Sequence, residues 1–536
     1  MVSFEVRRRE AELVVPARPT PRETKALSDV DDQEWLRYYE TVIGFYRRRR
    51  CPGEDRDPVE AIRAALAEAL VYYYPVAGRL REAAGGKLVV DCTAEGVLFV
   101  EADADVRLQD FGEPLLPPYP CVNELLCDAG DTRDVIGRPL ILMQLTRLKC
   151  GGFVAGLHMC HNIVDGFGMI QIMTAISELA CGATVPSILP VWKRELLSTP
   201  HSPFPITYPE PLYEPLLTSL DSPSEDIMLS TPPEHMVSKC FLFGPRDVAA
   251  LRSHIPEHLV ASTTSFELLT AVMWRCRTIA LGYRPSQRVR LMITMNARGR
   301  WNRHTPIPRG YYGNAHFSPI VEVTVDELCR QPLIDTVEIV QRTKRSVTKE
   351  CMELIVKTIA SLRKKPCLEE VRTYEVCDTK WIGAGNGLQL SFAEHVGGGI
   401  PFAGDITSKL GSDHMRCKNK DGEDSTVVSM LLPKTAMERF KKEMDVWVRK
   451  PDEWGYDDII DPINESKCKL QFHYRHEVAT KGYVEVEIQM GLGAASCIAI
   501  HRARIREMKQ PLAHPPVVRS RARPLQASCH NHKAKK

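Results

Sequence analysis

The chain has 536 residues, enough for two or more domains and a large buried core. Its 70 Lys+Arg against 68 Asp+Glu leave a formal charge of +2, which provides no global field to steer it towards nucleic acid or acidic lipid. With 44% apolar and 26% charged residues it has the composition of a soluble globular protein; its 17 scattered cysteines, odd in number and without C-x-x-C pairing, indicate neither a disulfide framework nor a zinc ribbon.

The start, Met1 to Arg9, lacks the apolar core of a signal peptide, and no apolar run reaches the roughly 18 residues of a membrane span. A cytoplasmic protein without a membrane anchor is therefore expected. The run Arg47 to Arg50 reads as a solvated loop face, with an anion contact as the alternative. Residues 57 to 73 predict a helix: Asp57 suits the N-cap, Pro58 the first turn and Glu60 a capping box, and Ile62, Ala65, Leu66, Ala69 and Leu70 recur at helical spacing. Residues 87–92 and 96–101 read as paired strands. Residues 152–160 fit a buried strand, and Phe167 to Leu179 a buried helix. Eight prolines between Pro186 and Pro215 exclude regular structure and mark a connector between two halves. The second half predicts strands at 238–243 and 288–295 and helices at 265–278, 335–346 and 435–445. Mixed strands and helices in both halves make the class α/β (α+β mixed). Residues 511–536 are too poor in large apolar side chains to offset their ordering entropy and read as a disordered tail.

The chemistry gathers at His161-Asn162-Ile163-Val164-Asp165-Gly166, between the buried strand and the buried helix. A histidine at a strand end is held by rigid backbone yet can face a cleft, and neutral imidazole can accept a proton near pH 7. Asp165 is placed to cap the helix or to form an ion pair, while Gly166 and Gly168 permit tight turning. The bare H-x-x-x-D spacing also fits a hydrogen-bonded core histidine beside a capping aspartate. His158, Cys160, His161 and Asp165 lie close together in sequence, but strand alternation turns His161 away from His158 and Cys160, so no metal site is expected. G-x-S-x-G, P-loop and dinucleotide fingerprints are absent from the sequence.

The stretch from His161 to Gln171 resembles the H-x-x-x-D-G signature of the plant BAHD acyl-CoA-dependent acyltransferases. Pro16 to Pro21, Leu27 to Asp32, Tyr73 to Leu80, Ser265 to Arg275, Asn296 to Arg300, Gly310 to Asn314, Asp421 to Asp424 and Leu432 to Phe440 resemble further family elements in the same order. The similarity is nearest in flavour to benzyl alcohol O-benzoyltransferases and taxane acyltransferases. It implies two chloramphenicol acetyltransferase-like domains: 1–185, carrying the motif, and 219–447, joined by a crossover at 186–218. An extension at 448–536 has no family counterpart.

The resemblance further implies a monomer that uses acyl-CoA as co-substrate, a small-molecule alcohol as acceptor and no bound cofactor. His161 would be the general base in a direct transfer without an acyl-enzyme. Asp165 would orient the site by pairing with Arg298, or less plausibly Arg300, with Gly166 shaping the turn. Tyr311, Tyr312 and Asn314 would lie near the channel between the domains, where a turn with two packing tyrosines is the alternative. Ser265 and Thr270 could face the CoA arm, although Ser265 also suits a helix cap. Trp381 is the remaining contact candidate; it and Trp301 also suit the core.

The family's D-F-G-W-G element is missing: residues 384–417 match poorly, and the similarity resumes at Lys418. Divergence is one explanation; a stretch translated out of frame or from an intron is the other, favoured by the abrupt edges. N-acylation of an amine or polyamine, and a non-catalytic member that binds without turnover, are the competing functions.

Overall fold

Asp57 and Pro58 begin a helix as their chemistry dictates. In the computed structural model, α1 runs Pro58–Tyr72, with Asp57 accepting from the Val59 N–H and Ile62, Ala65, Leu66, Ala69 and Leu70 turned inward. The structure describes residues 3–49, 57–199, 225–299, 306–362, 371–380, 388–401, 410–448, 483–489, 500–506 and 519–520. The chain falls into two compact units, Met1–Arg449 and Lys450–Lys536.

The strands of the first half are β1 (Val6–Arg8), β2 (Glu12–Val14), β3 (Thr24–Ala26), β4 (Tyr39–Arg48), β5 (Arg79–Glu82), β6 (Leu88–Asp91), β7 (Val97–Ala104), β8 (Ile141–Leu148) and β9 (Phe153–Cys160). Those of the second are β10 (Met236–Phe243), β11 (Arg288–Asn296), β12 (His316–Phe317), β13 (Ile320–Thr324), β14 (Thr373–Asp378), β15 (Ala393–Gly399), β16 (Gly411–Lys418) and β17 (Asp424–Pro433). One mixed sheet has the order β1-β7-β8-β9-β4-β15, with β2 also on β7; the other runs β10-β17-β16-β14-β11-β12, with β13 also on β11. β3, β6 and β5 form a small separate sheet.

The expected pairing of residues 87–92 with 96–101 does not occur. β6 lies between β3 and β5, whereas β7 joins the large sheet beside β8. Gly96 turns the chain with φ 93°, and a Cβ there would come within 2.4 Å of the Val14 carbonyl oxygen, so the connection leads into a different sheet and not into a hairpin.

All eight residues of β9 are buried, as a central strand covered on both faces requires. α2 (Gly166–Ala180) follows it and packs against α1 over the first core. The second core is built around α3 (Ser265–Leu281), which is buried on nearly every face and packs against α4 (Leu333–Arg345) and α6 (Lys434–Val448). α5 (Lys349–Leu362) adds Met352, Ile355 and Val356 to a smaller core with Tyr311 and Phe317.

The described part of the atypical stretch 384–417 is built into both sheets. β15 pairs antiparallel with β4, Leu388, Leu390, Phe392 and Ala393 join the first core, and β16 pairs with β14 and β17. Residues 384–387 and 402–409 lie outside the described residues, as do most of the connector (200–218), Arg50, Arg300, Trp301 and Trp381. In the second unit, Tyr483–Gln489 pairs antiparallel with Ile500–Arg506, which also pairs with Arg519–Ser520. That last pairing places two residues of the expected disordered tail in a strand; the remainder of 511–536 is outside the described residues.

Candidate active site

His161 follows the last residue of β9, and its backbone N–H donates to the Tyr38 carbonyl at 2.9 Å, which fixes where the side chain leaves the sheet. The imidazole is enclosed by protein but keeps partial exposure, and its Nδ1 is buried without a hydrogen-bond partner. The ring stands 5.1 Å from that of Tyr38 and 5.8 Å, edge to face, from that of His316 on β12. Burial pushes its pKa below the ordinary 6.5, and His316 pushes it further, against the opposing pull of Glu40 and Asp165. The group is therefore neutral, and able to accept a proton, at pH 7.

Asp165 has a different environment. It is the N-cap of α2, its Oδ1 accepting from Gly168 N–H at 2.9 Å and its Oδ2 from Ala315 N–H at 3.0 Å. Arg298 grips the same carboxylate in a fork, at 2.7 and 3.1 Å. Burial alone would raise the pKa of Asp165, but the adjacent guanidinium outweighs it and holds the carboxyl below the usual range. Arg298 also donates to the Gly313 carbonyl at 2.7 Å, so one ion pair ties the start of α2 to the 311–315 segment of the second half.

A second polar network clamps the turn from beneath. Arg194, 2% exposed, donates to both Asp31 oxygens at 3.0 and 3.1 Å and to the Ile163 carbonyl at 2.8 Å. Asn314 donates through its backbone N–H and its Nδ2 to Asp31, and also through Nδ2 to the His161 carbonyl at 2.7 Å. Asn162 Nδ2 donates to the Asp31 carbonyl at 2.6 Å. The Arg194 guanidinium lies over the rings of Trp192, Tyr311 and Tyr312. Sequence reasoning missed Asp31 and Arg194 as site supports, because 163 positions separate this pair and no local spacing links them.

The structure places the other expected residues as follows. Thr270 is fully buried within α3 and offers no surface to a CoA arm. Tyr312 packs in the first core, and Asn314 is bound to Asp31 and to the carbonyl of His161, so both are buried beside the base. Tyr311 is 2% exposed; its edge lines a cavity of about 430 Å³ together with Phe167, Gln171 and Arg298. The cap of α3 is Thr264, in a reciprocal box with Glu267, and not Ser265, which is half-buried in the first turn. Gly166 opens α2. Gly168 serves close approach instead of a tight turn: a Cβ there would lie 1.9 Å from the Tyr312 carbonyl oxygen. His158 is a core histidine, its nitrogens 2.9 Å from Thr41 Oγ1 and 3.1 Å from the Cys127 carbonyl. Among the described residues no cluster of His, Cys, Asp or Glu is arranged to hold a metal ion, and no helix is long and apolar enough to cross a membrane.

The chain is similar to known proteins over most of its length. A family model described as "Transferase family" matches residues 4–446. "Acyl transferase 1" of Oryza sativa subsp. japonica is 62% identical over 475 residues, covering 84% of this chain and 98% of the relative. "Spermidine hydroxycinnamoyltransferase 1" of the same organism is 50% identical over 432 residues, covering 78% and 94%. "Benzyl alcohol O-benzoyltransferase" of Petunia hybrida is 46% identical over 444 residues, covering 82% and 93%. Among solved structures, vinorine synthase superposes with a TM-score of 0.62 at 18% identity, covering 83% of this chain and 99% of that one, which shows a common fold.

Proposed function

Because the chain belongs to the Transferase family as a plant BAHD acyltransferase with the chloramphenicol acetyltransferase-like fold, and so takes acyl-CoA as co-substrate, we propose that it transfers an acetyl, benzoyl or similar group to the hydroxyl of a small specialised metabolite. His161 is the base. It removes the acceptor proton as the oxygen attacks the thioester carbonyl, a C–O bond forms and the C–S bond breaks, and the proton passes to the departing sulfur to give free CoA thiol. No covalent enzyme intermediate is needed. The observation that carries this reading is the division of labour between two neighbouring groups: a partly accessible, neutral imidazole at the strand end, and an aspartate withdrawn from it by Arg298. Asp165 is a positioning residue, not the third member of a triad. Ser265 remains a candidate for the CoA side.

An amine acceptor is the second reading, favoured by the 50% identical relative named for spermidine and by Glu40 beside the base. The cytoplasm and the monomeric state belong to the same proposal. The test is formation of ester and free thiol from acetyl-CoA or benzoyl-CoA with a panel of alcohols. Loss of that activity in a folded His161→Ala variant supports the assignment, and undiminished turnover refutes it.

A further inference from the structure

β12 belongs to the second sheet and brings one side chain to the base. Side chains alternate along it: Ala315 and Phe317 turn into the small core with Tyr311, which leaves His316 on the opposite side, towards His161. The two residues before His316 are anchored to the turn itself. Asn314 Nδ2 donates to the His161 carbonyl at 2.7 Å, and Ala315 N–H donates to Asp165 at 3.0 Å. The two imidazoles therefore meet at a fixed separation, with ring centres 5.8 Å apart and planes at 80°.

His316 is enclosed by protein yet keeps partial exposure, and among the described residues its ring makes no hydrogen bond. Burial holds its pKa below the ordinary 6.5, against the pull of Asp165, so the ring is neutral at pH 7 and keeps one N–H. The other polar side chains around the turn already have acceptors. The Tyr38 hydroxyl donates to Glu40 at 3.1 Å and Asn162 Nδ2 to the Asp31 carbonyl. Asn314 Nδ2 donates to Asp31 and the His161 carbonyl, and the terminal nitrogens of Arg194 and Arg298 grip Asp31 and Asp165. At His161 the buried ring nitrogen is Nδ1, so Nε2 is the atom a substrate reaches.

Resting on the acyl-transfer reading, we propose that His316 is a second catalytic residue, a hydrogen-bond donor to the carbonyl oxygen of the thioester. His161 takes the acceptor's proton as the acceptor oxygen bonds to the carbonyl carbon. The C=O electron pair moves onto oxygen, and the N–H of His316 holds that oxyanion. When the adduct collapses the pair returns, the C–S bond breaks and the proton on His161 passes to sulfur. His316 keeps its own proton throughout, so no further reactant is needed. In the adduct the attacking oxygen and the oxyanion are bonded to one carbon. Base and donor must therefore flank one small space, about 3 Å from their respective oxygens, as two rings in edge-to-face proximity do. A neutral donor suits this place, because a cation there would lower the proton affinity of the base.

Acetyl-CoA labelled at its carbonyl carbon is bound, without acceptor, to the full-length protein and to its His316→Phe, His316→Leu and His316→Gln variants, each checked for folding by circular dichroism. Phenylalanine and leucine remove the donor; glutamine keeps one. The infrared carbonyl band of the wild-type complex is expected below that of free acetyl-CoA, as polarisation by a neutral imidazole requires. It returns towards the free position with phenylalanine or leucine, whichever folds, and is partly regained with glutamine. Turnover with one alcohol is read at about pH 8, where His161 is neutral in every variant, so a shifted titration of the base cannot imitate the loss. There kcat falls about hundredfold to thousandfold in His316→Phe, KM for acetyl-CoA stays within about twofold, and His316→Gln recovers at least about tenfold. One band position in all the proteins overturns the donor whatever the turnover shows, as does an undiminished kcat in His316→Phe or a wild type that binds no acetyl-CoA. A band that shifts with His316, in a protein that releases no thiol with any alcohol, upholds the donor and sinks the acyl-transfer reading instead.

Discussion

Replacing either member of the Asp165–Arg298 pair tests whether this ion pair, and not His161, carries the junction between the halves. The fork is short, at 2.7 and 3.1 Å, and the two side chains are 7% and 18% exposed, so solvent screens it weakly. Asp165→Asn keeps an oxygen for Gly168 N–H but strands the guanidinium; removing one partner of a buried pair costs about 3–5 kcal/mol, and the retained cap places this variant near 3 kcal/mol. Arg298→Met leaves the carboxylate with the backbone donors of Gly168 and Ala315 and costs about 2–3 kcal/mol. Because the second substitution removes a bond already broken by the first, the double variant falls short of the sum by about 2 kcal/mol. Denaturant midpoints followed by circular dichroism give all four corners of the cycle. Additive losses, with an interaction below about 0.5 kcal/mol, would refute the argument.

Arg194→Met strips Asp31 of its buried cation and is expected to cost about 3–5 kcal/mol, read as a lowered unfolding midpoint. Gly168→Ala drives a methyl into the Tyr312 carbonyl and should abolish soluble folded protein or lower its Tm by many degrees, visible in a thermal scan. Burial pushes His395 down to about 4 and His414 to about 3 from an ordinary 6.5. These folded values lie below the unfolded one, so their contribution is complete above pH 6.5 and is lost as pH falls towards 4 and then 3; His395→Phe should flatten the decline in Tm between pH 6.5 and 4, and an unchanged slope contradicts the assignment.

Elements with strong local signals were legible in the sequence. Asp57-Pro58, the mostly apolar run at 153–160 and the Asp165 cap fall where chemistry along a few residues decides the outcome. Partner choice was not legible: β6 and β7 are close in sequence but belong to different sheets, and β15 crosses from the second half to pair with β4 of the first. The same divide separates His161 and Asp165, readable from spacing and resemblance, from Asp31, Arg194 and Glu40. Those three meet the motif only through long-range folding, and a lone charged residue carries no local sign of what it will face. The burial of Thr270 and Tyr312 was not legible for the complementary reason, since position in a motif says nothing about which side of a helix or turn the core will cover.

The most direct measurement is the release of free CoA thiol with matched product formation, comparing wild type with a His161→Gln variant shown by circular dichroism to be folded. A general base contributes about a hundredfold to ten-thousandfold, so the variant should retain at most about one per cent of the wild-type rate, with its KM for acyl-CoA little changed. Wild-type turnover in the folded variant would contradict the account.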